Sequence, residues 1–398
     1  MSDKPMAYLA EIATLEPIKD KDRIVLASFT NNNWKVIVQK DQHHVGQKVV
    51  YIETESILPV WPVFQFLEKR CYSVKRKGYV IKRMSMAGVD SEGIVFNVSA
   101  LPEKIWVNKS DKQLEELDWT KALEIRRKDD EVPQVQAESR SWLQNKIRWL
   151  VWKLFKIKMQ KLGVGPSDFP SYCMKTDETQ AQSIPGLFDK MKGKDVITTL
   201  KIDGMSGTFA HHKGLFIVAT RNRTIYKQKI EKAKKALSKY TADKWKDNPH
   251  LYVAAKYDLP RVLNTMVDVA LQGEVAGPGI QKNRLGLKDY DLFIFNMYSI
   301  TQKKFYALPR LKEVTDKHLL KLVPFLEVRK FDWSSIKEME QYAAQYTYDN
   351  GSPAEGVVIR GFEEGAVYME DPMQKMHGQL SLKIINPKFK MKYQDEEE

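Results

Sequence analysis

An apolar, β-branched run, Val196-Ile197-Thr198-Thr199-Leu200, ends in Lys201-Ile202-Asp203-Gly204 and resumes as Met205-Ser206-Gly207-Thr208-Phe209. Such a run reads as a buried strand, and the glycine as the turn that follows it. The local fold is therefore strand, turn, strand. A lysine leaving a strand into a glycine turn is placed to act as a nucleophile on a phosphate. Four residues with one free position recur by chance, so the pattern alone settles nothing.

Its company in the chain is more specific. Downstream come Leu271-Gln272-Gly273-Glu274, Leu292-Phe293-Ile294-Phe295, Glu355-Gly356-Val357-Val358 and Leu382-Lys383-Ile384-Ile385-Asn386, in that order. The ordered set resembles motifs I, III, IIIa, IV and V of the covalent nucleotidyltransferases, the superfamily of ATP-dependent DNA and RNA ligases and mRNA capping enzymes.

The rest of the chain fits a partner of that kind. With 64 Lys and Arg against 51 Asp and Glu, the formal charge of +13 favours a polyanion through phosphate neutralisation and counterion release. The 398 residues, 43% hydrophobic, are enough for two or three packed domains. Cys71 and Cys173 are the only cysteines, which excludes a disulfide framework and a four-cysteine zinc site. No signal peptide and no run of about 20 apolar residues is present, so the expectation is a soluble, intracellular, cytoplasmic monomer with no integral membrane segment.

Residues 1–101 read as short strands, Ile24–Phe29, Trp34–Val38, Val49–Ile52 and Gly93–Asn97, separated by polar turns. A small antiparallel barrel follows, and with Glu53-Thr54-Glu55-Ser56-Ile57-Leu58-Pro59 it resembles the N-terminal OB module of one branch of RNA ligases. Residues 102–164 read as a charged linker with some helix. Within it, Leu143, Ile147, Leu150, Leu154 and Ile157 form one stripe at about 100° per residue, predicting a helix over 141–158. That helix is acid-free, and its lysines alternate with Trp142, Trp149 and Trp152. A linker helix packing its stripe, a nucleic-acid contact and an interfacial membrane helix all fit it. Residues 165–398 alternate strands with helices expected over Lys227–Lys246 and Ser334–Tyr348.

Adenylylating a lysine requires a neutral amine, so Lys383, a divalent metal and burial are expected to lower the pKa of Lys201. The resemblance implies that Lys201 and Lys383 are catalytic. It places Leu200, Arg221, Glu274, Phe295 and Lys383 on the nucleotide. Asp203, Glu274 and Glu355 are the carboxylates expected to hold Mg2+ or Mn2+. Strand alternation puts Phe293 and Phe295 on one face, and only the resemblance selects Phe295 as the adenine-stacking ring.

The approach Phe169-Pro170-Ser171-Tyr172-Cys173-Met174-Lys175-Thr176-Asp177-Glu178, with Ile184-Pro185, looks like that of RNA ligases carrying an N-terminal OB module. Two departures affect substrate handling. Many such enzymes have Lys-x-Lys in motif V, whereas Ile385 follows Lys383 here, leaving Lys388 as a substitute. An extended hairpin over 361–379 also separates motifs IV and V. The implied fold is α+β: an OB-like β-barrel, then an adenylyltransferase (ATP-grasp-like ligase) domain of antiparallel sheets with flanking helices. The implied activity is ATP-dependent RNA ligation, joining a 3′-OH to a 5′-phosphate through lysyl-AMP and an adenylylated end, as in RNA repair. Nicked duplex with an RNA 3′-OH strand is one candidate substrate. A DNA ligase, a capping enzyme and a non-catalytic nucleic-acid-binding homologue are the rivals.

Overall fold

The structure is a computed structural model, and it describes residues 5–86, 88–127, 164–176, 178–366 and 379–393. The helix expected over 141–158 and most of the expected 361–379 hairpin lie outside the described residues. The described residues divide into two compact units, those of 5–127 with 181–187, and those of 164–180 with 188–393.

The first unit holds β1 (Ala7–Ile18), β2 (Lys21–Phe29), β3 (Lys35–Gln39), β4 (Lys48–Ile52), β5 (Ser56–Leu58), β6 (Tyr72–Ser73), β7 (Gly78–Val80), β8 (Arg83–Met86), β9 (Val89–Glu92), β10 (Ile94–Asn97) and β11 (Arg126–Arg127). One sheet runs β10-β4-β1-β2-β3 and a second β11-β5-β7-β6, with β8 and β9 paired by themselves. The expected strands correspond to β2, β3, β4 and β10. The longest strand, β1, escaped the sequence reading because one strand serves two partners. Ala7–Glu11 pair with β4, Ile12–Ile18 pair with β2, and the register slips between Ile12 and Thr14. A bulge of this kind bends the strand and lets the sheet curl. Trp34 and Tyr51 are fully buried inside the curl.

The first unit continues past the boundary expected at Leu101. Ile105, Trp119, Leu123 and Ile125 are buried in the same core as Phe64 and Phe96. Thr120 Oγ1 accepts from the N–H of Met6 and of Ala7, at 2.8 and 3.1 Å, and β11 pairs with β5. Residues 102–127 are thus packed structure rather than linker. Charge mixing in the sequence hid this, because only a few apolar side chains per turn are needed to anchor short helices. The segment Ala181–Leu187 also belongs to this unit, with Asn33 donating its backbone N–H to Gln182 O at 2.6 Å.

The second unit holds β12 (Val164–Asp168), β13 (Thr179–Gln180), β14 (Asp195–Lys201), β15 (Met205–His212), β16 (Leu215–Thr220), β17 (Arg223–Lys229), β18 (Val269–Ala276), β19 (Asp291–Ser299), β20 (Lys304–Phe305), β21 (Lys321–Leu322), β22 (Phe325–Lys330), β23 (Gly356–Gly361) and β24 (Ser381–Ile385). The larger sheet runs β12-β17-β16-β15-β18-β19-β20, with β21 also on β19, and the smaller runs β13-β24-β23-β14-β22. Helices Ile230–Ala236, Pro249–Lys256 and Leu259–Asn264 cover the larger sheet through Ala233, Leu251, Val253 and Leu263. The helix expected over Lys227–Lys246 is shorter, since β17 runs to Lys229 and Ser238 starts a separate 3-10 segment, Lys239–Trp245. The second expected helix runs Ile336–Ala343, with Ser335 accepting from the N–H of Glu338 at its N-terminus.

Candidate active site

β14 carries Thr199, Leu200 and Lys201 alongside β23, with Lys201 opposite Gly356. Glu355 stands one residue before that glycine, and its Oε2 accepts from Lys201 Nζ at 2.8 Å. Glycine is required at these crossings by proximity. A Cβ on Gly356 would lie 2.1 Å from Ile384 O, and one on Gly204 would lie 2.6 Å from Val275 O and 2.8 Å from Glu274 Cγ. The motif glycines thus let neighbouring strands close around the lysine.

One buried hydroxyl joins the two segments. Tyr348 Oη donates to Lys201 O at 2.9 Å and accepts from the N–H of Asp203 at 3.0 Å and of Glu355 at 3.1 Å. The backbone on both sides of the Lys201–Glu355 pair is therefore tied to a single atom. No sequence signal distinguishes Tyr348 from the other tyrosines near it, because its role depends on two segments more than a hundred residues apart.

The pocket beside Lys201 is lined by Glu178, Thr199, Leu200, Glu274, Phe295, Val323, Val358 and Arg360. Leu200, Glu274 and Phe295, all expected, are brought together here. Phe295 sits at a register slip where Gly273 pairs with Ile294 but Gln272 pairs with Asn296, so it is the extra residue of a bulge. Phe293 packs in the same apolar cluster but does not line the pocket. Glu178 and Arg360 were not singled out from the sequence. Arg360 Nη2 donates to Glu178 Oε1 at 3.2 Å, Nη1 to Thr199 Oγ1 at 3.2 Å, and its guanidinium lies 5.3 Å from the Phe295 ring centre. The available signal was a lone arginine closing the apolar run Val357-Val358-Ile359.

The electrostatics differ from expectation. Burial alone would push the Lys201 ammonium down, but Glu355, then Glu178 and Glu274, hold it well above the ordinary lysine range. The lysine is a charged ion-pair partner here, because three carboxylates outweigh the burial that would discharge it. Glu274 is pushed well up by burial, and by repulsion from Glu178, Glu355 and Asp203 against the pull of Lys201. Lys383, on β24 opposite Val358, acts on this cluster by favouring the charged form of Glu355.

The three expected metal carboxylates are not equivalent. Asp203 Oδ2 accepts from Arg284 Nη1 at 2.9 Å, and both side chains are buried, with 9% and 4% exposure. Arg284 is in turn covered by the rings of Tyr393 and Phe389, at 4.4 and 5.0 Å. Among the described residues no group of three or more His, Cys, Asp or Glu is placed to hold a metal ion. Glu274 and Glu355 alone can offer one or two oxygens to a hard cation, which would complete its shell from phosphate and water. Arg221 lies in the turn between β16 and β17, outside the pocket lining. Lys388 is exposed, its N–H is held by Asn386 Oδ1 at 2.9 Å, and neither it nor Lys383 lines the pocket.

Residues 194–376 match the RNA ligase family, and residues 6–98 match an OB-fold domain family. The structure resembles the RNA ligase of Naegleria gruberi in its complex with PPi, with a TM-score of 0.75 at 18% identity over 99% of this chain and 100% of that one. Point mutants of the same enzyme are similarly alike. One with ATP and Mn gives 0.74 at 18% identity, covering 98% of each chain, and one with AMP and Mn gives 0.73 at 18%, covering 98% of this chain and 100% of that one. No curated protein sequence matches the chain significantly. Residues 194–376 thus resemble the RNA ligase family and the residues before them an OB-fold domain, in the same order and fold as the Naegleria enzyme.

Proposed function

We propose that this protein is an ATP-dependent RNA ligase that joins a 3′-OH to a 5′-phosphate, with Lys201 as its nucleophile. The observation that carries the reading is the Lys201–Glu355 pair, at 2.8 Å, beside a pocket that holds Glu274 and Phe295. Lysine, carboxylates and an aromatic ring in one pocket are what transfer of a nucleotide to an amine requires. The Naegleria structures carry ATP, AMP, PPi and Mn, which are a substrate, the transferred part, the leaving group and a metal for such a reaction.

In the first step Lys201 Nζ forms a bond to the α-phosphorus, and the bond from that phosphorus to pyrophosphate breaks. The ammonium must first lose a proton, and Glu355 Oε2 is the acceptor within hydrogen-bond reach. Phe295 stacks the adenine, with Leu200 and Val358 as the apolar wall, and the charge of Lys383 steadies Glu355. A bound Mg2+ or Mn2+, held by Glu274 and Glu355 with the phosphates, would neutralise charge developing on the phosphate oxygens. Asp203 acts through Arg284 to shape the turn. AMP then passes to a 5′-phosphate, and the 3′-OH displaces it. Repair of broken RNA is the use that fits these ends.

Incubation of the purified chain with α-labelled ATP or GTP and magnesium or manganese, followed by denaturing electrophoresis, tests the reading. Label on the protein from ATP alone is the expected result. Label from GTP would point to a capping enzyme, and no label from either would remove the covalent mechanism. Equal sealing of all-DNA nicks and of nicks with a ribonucleotide 3′ end would favour a DNA ligase.

A further inference from the structure

We propose that the β6–β7 hairpin of the first unit, with Lys69 and Arg70 just before it, is an RNA-contact surface whose cations meet phosphates and whose Tyr72 stacks on a base. This rests on the RNA ligase reading and names where on the OB-fold unit the polyanion is held.

From Lys69 to Val89 the sequence has no acid and seven basic residues. Arg83 is neutralised by Asp90 and Glu92, at 2.5 and 3.3 Å. Lys69, Arg70, Lys75 and Lys77 are exposed, and none forms an ion pair among the described residues. Four uncompensated cations within nine residues raise the local potential where a flexible polyanion can follow.

The hairpin is also held in shape. Arg76 donates its N–H to Ser73 Oγ at 3.3 Å, Lys77 takes a left-handed φ of 49°, and Arg126 Nη2 donates to Arg76 O at 2.7 Å. Arg126 therefore fixes the turn. On the strand, Tyr72 packs edge-on against Tyr79, ring centres 5.7 Å apart, and remains 39% exposed. A ring anchored at one edge loses little freedom when a base stacks on its open face. Lysines on an edge strand also discourage sheet-to-sheet pairing, and β6 is an edge strand. That device does not call for an exposed tyrosine, nor for Val74 at 81% exposure beside it. Glu68, which precedes Lys69 and lies near Tyr79, is outnumbered by the four cations, and cations beside a presented ring fit a nucleic acid better than an acidic protein, which needs no stacking platform.

The test uses the full chain carrying Lys69→Gln, Arg70→Gln, Lys75→Gln and Lys77→Gln together, and separately Tyr72→Leu, with a fluorescent single-stranded RNA titrated at several salt concentrations. The expected outcome is binding weakened about 10-fold or more in the quadruple variant. The slope of log K against log salt should shrink in magnitude by about 3, since each phosphate contact on a single strand contributes about 0.7. Tyr72→Leu should weaken binding while leaving the salt slope unchanged. Unchanged RNA affinity and slope in the quadruple variant, with a wild-type circular dichroism spectrum, overturns the proposal. So does loss confined to phosphatidylserine vesicles, which would make the hairpin a membrane contact. Covalent labelling by ATP, measured on the same samples, should stay at the wild-type level. An unmodified protein that binds RNA through the hairpin yet takes no label would defeat the ligase reading and leave this surface standing.

Discussion

Replacing Tyr348 by Phe removes one oxygen and should uncouple the two segments that present Lys201 and Glu355. The hydroxyl accepts from two backbone N–H groups and donates to one carbonyl, at 2.9–3.1 Å. A buried donor left without an acceptor costs about 1–3 kcal/mol, so two of them cost about 2–4 kcal/mol once partial relaxation is allowed. At about 2–4 °C per kcal/mol for a domain of this size, Tm should fall by roughly 5–15 °C. The rate should fall as well, because a displacement of about 1 Å between reacting groups can cost about 100-fold. Single-turnover labelling with α-labelled ATP at 20 °C, where the variant is folded, reads the second effect directly. Tyr342→Phe is the control. Its hydroxyl bonds Thr198 Oγ1 at 2.9 Å and Glu327 Oε1 at 2.8 Å, so it touches β14 three residues before Lys201 but does not join that strand to the Glu355 segment. It should lose stability and keep its labelling rate. Equal labelling rates in both variants would refute a positioning role for Tyr348, whatever their melting temperatures.

Lys201→Arg and Lys201→Ala should both abolish covalent labelling, since arginine keeps the charge but cannot be deprotonated to attack, and surviving label in either variant would reject the nucleophile. Lys201→Ala should still seal a pre-adenylylated RNA nick, measured by gel, because that step does not use the amine as nucleophile. Glu274→Gln should abolish labelling yet raise Tm at neutral pH. The folded carboxyl titrates above its ordinary value, so the unmodified protein loses stability as pH rises from about 4.3 through the raised value, and the variant's advantage should vanish in melts at pH 4. Asp203→Ala strands the buried Arg284 and should cost about 3 kcal/mol or more. Its lost activity should not recover in excess manganese, whereas recovery would mark Asp203 as a metal ligand.

The strands that carry Lys201, Glu274, Phe295, Glu355 and Lys383 were legible from sequence, because strand periodicity is a local property of the chain, while the choice of these residues within them came from the order of the motifs and its resemblance to the ligases. The folding of residues 102–127 into the first unit was not legible, since polar segments with a few anchoring side chains look like linkers until their partners are known. The state of the lysine was likewise decided in three dimensions. The resemblance puts a cation at motif V, but only the packing of β14 against β23 and the approach of Glu178 and of Glu274 from β18 set three carboxylates around Lys201, reversing the sign of the expected shift. Asp203 belongs to the same class, because its partner Arg284 lies 81 residues away and meets it only when the turn after β14 closes. Charge interactions depend on distance through space, and a sequence reports distance only along the chain.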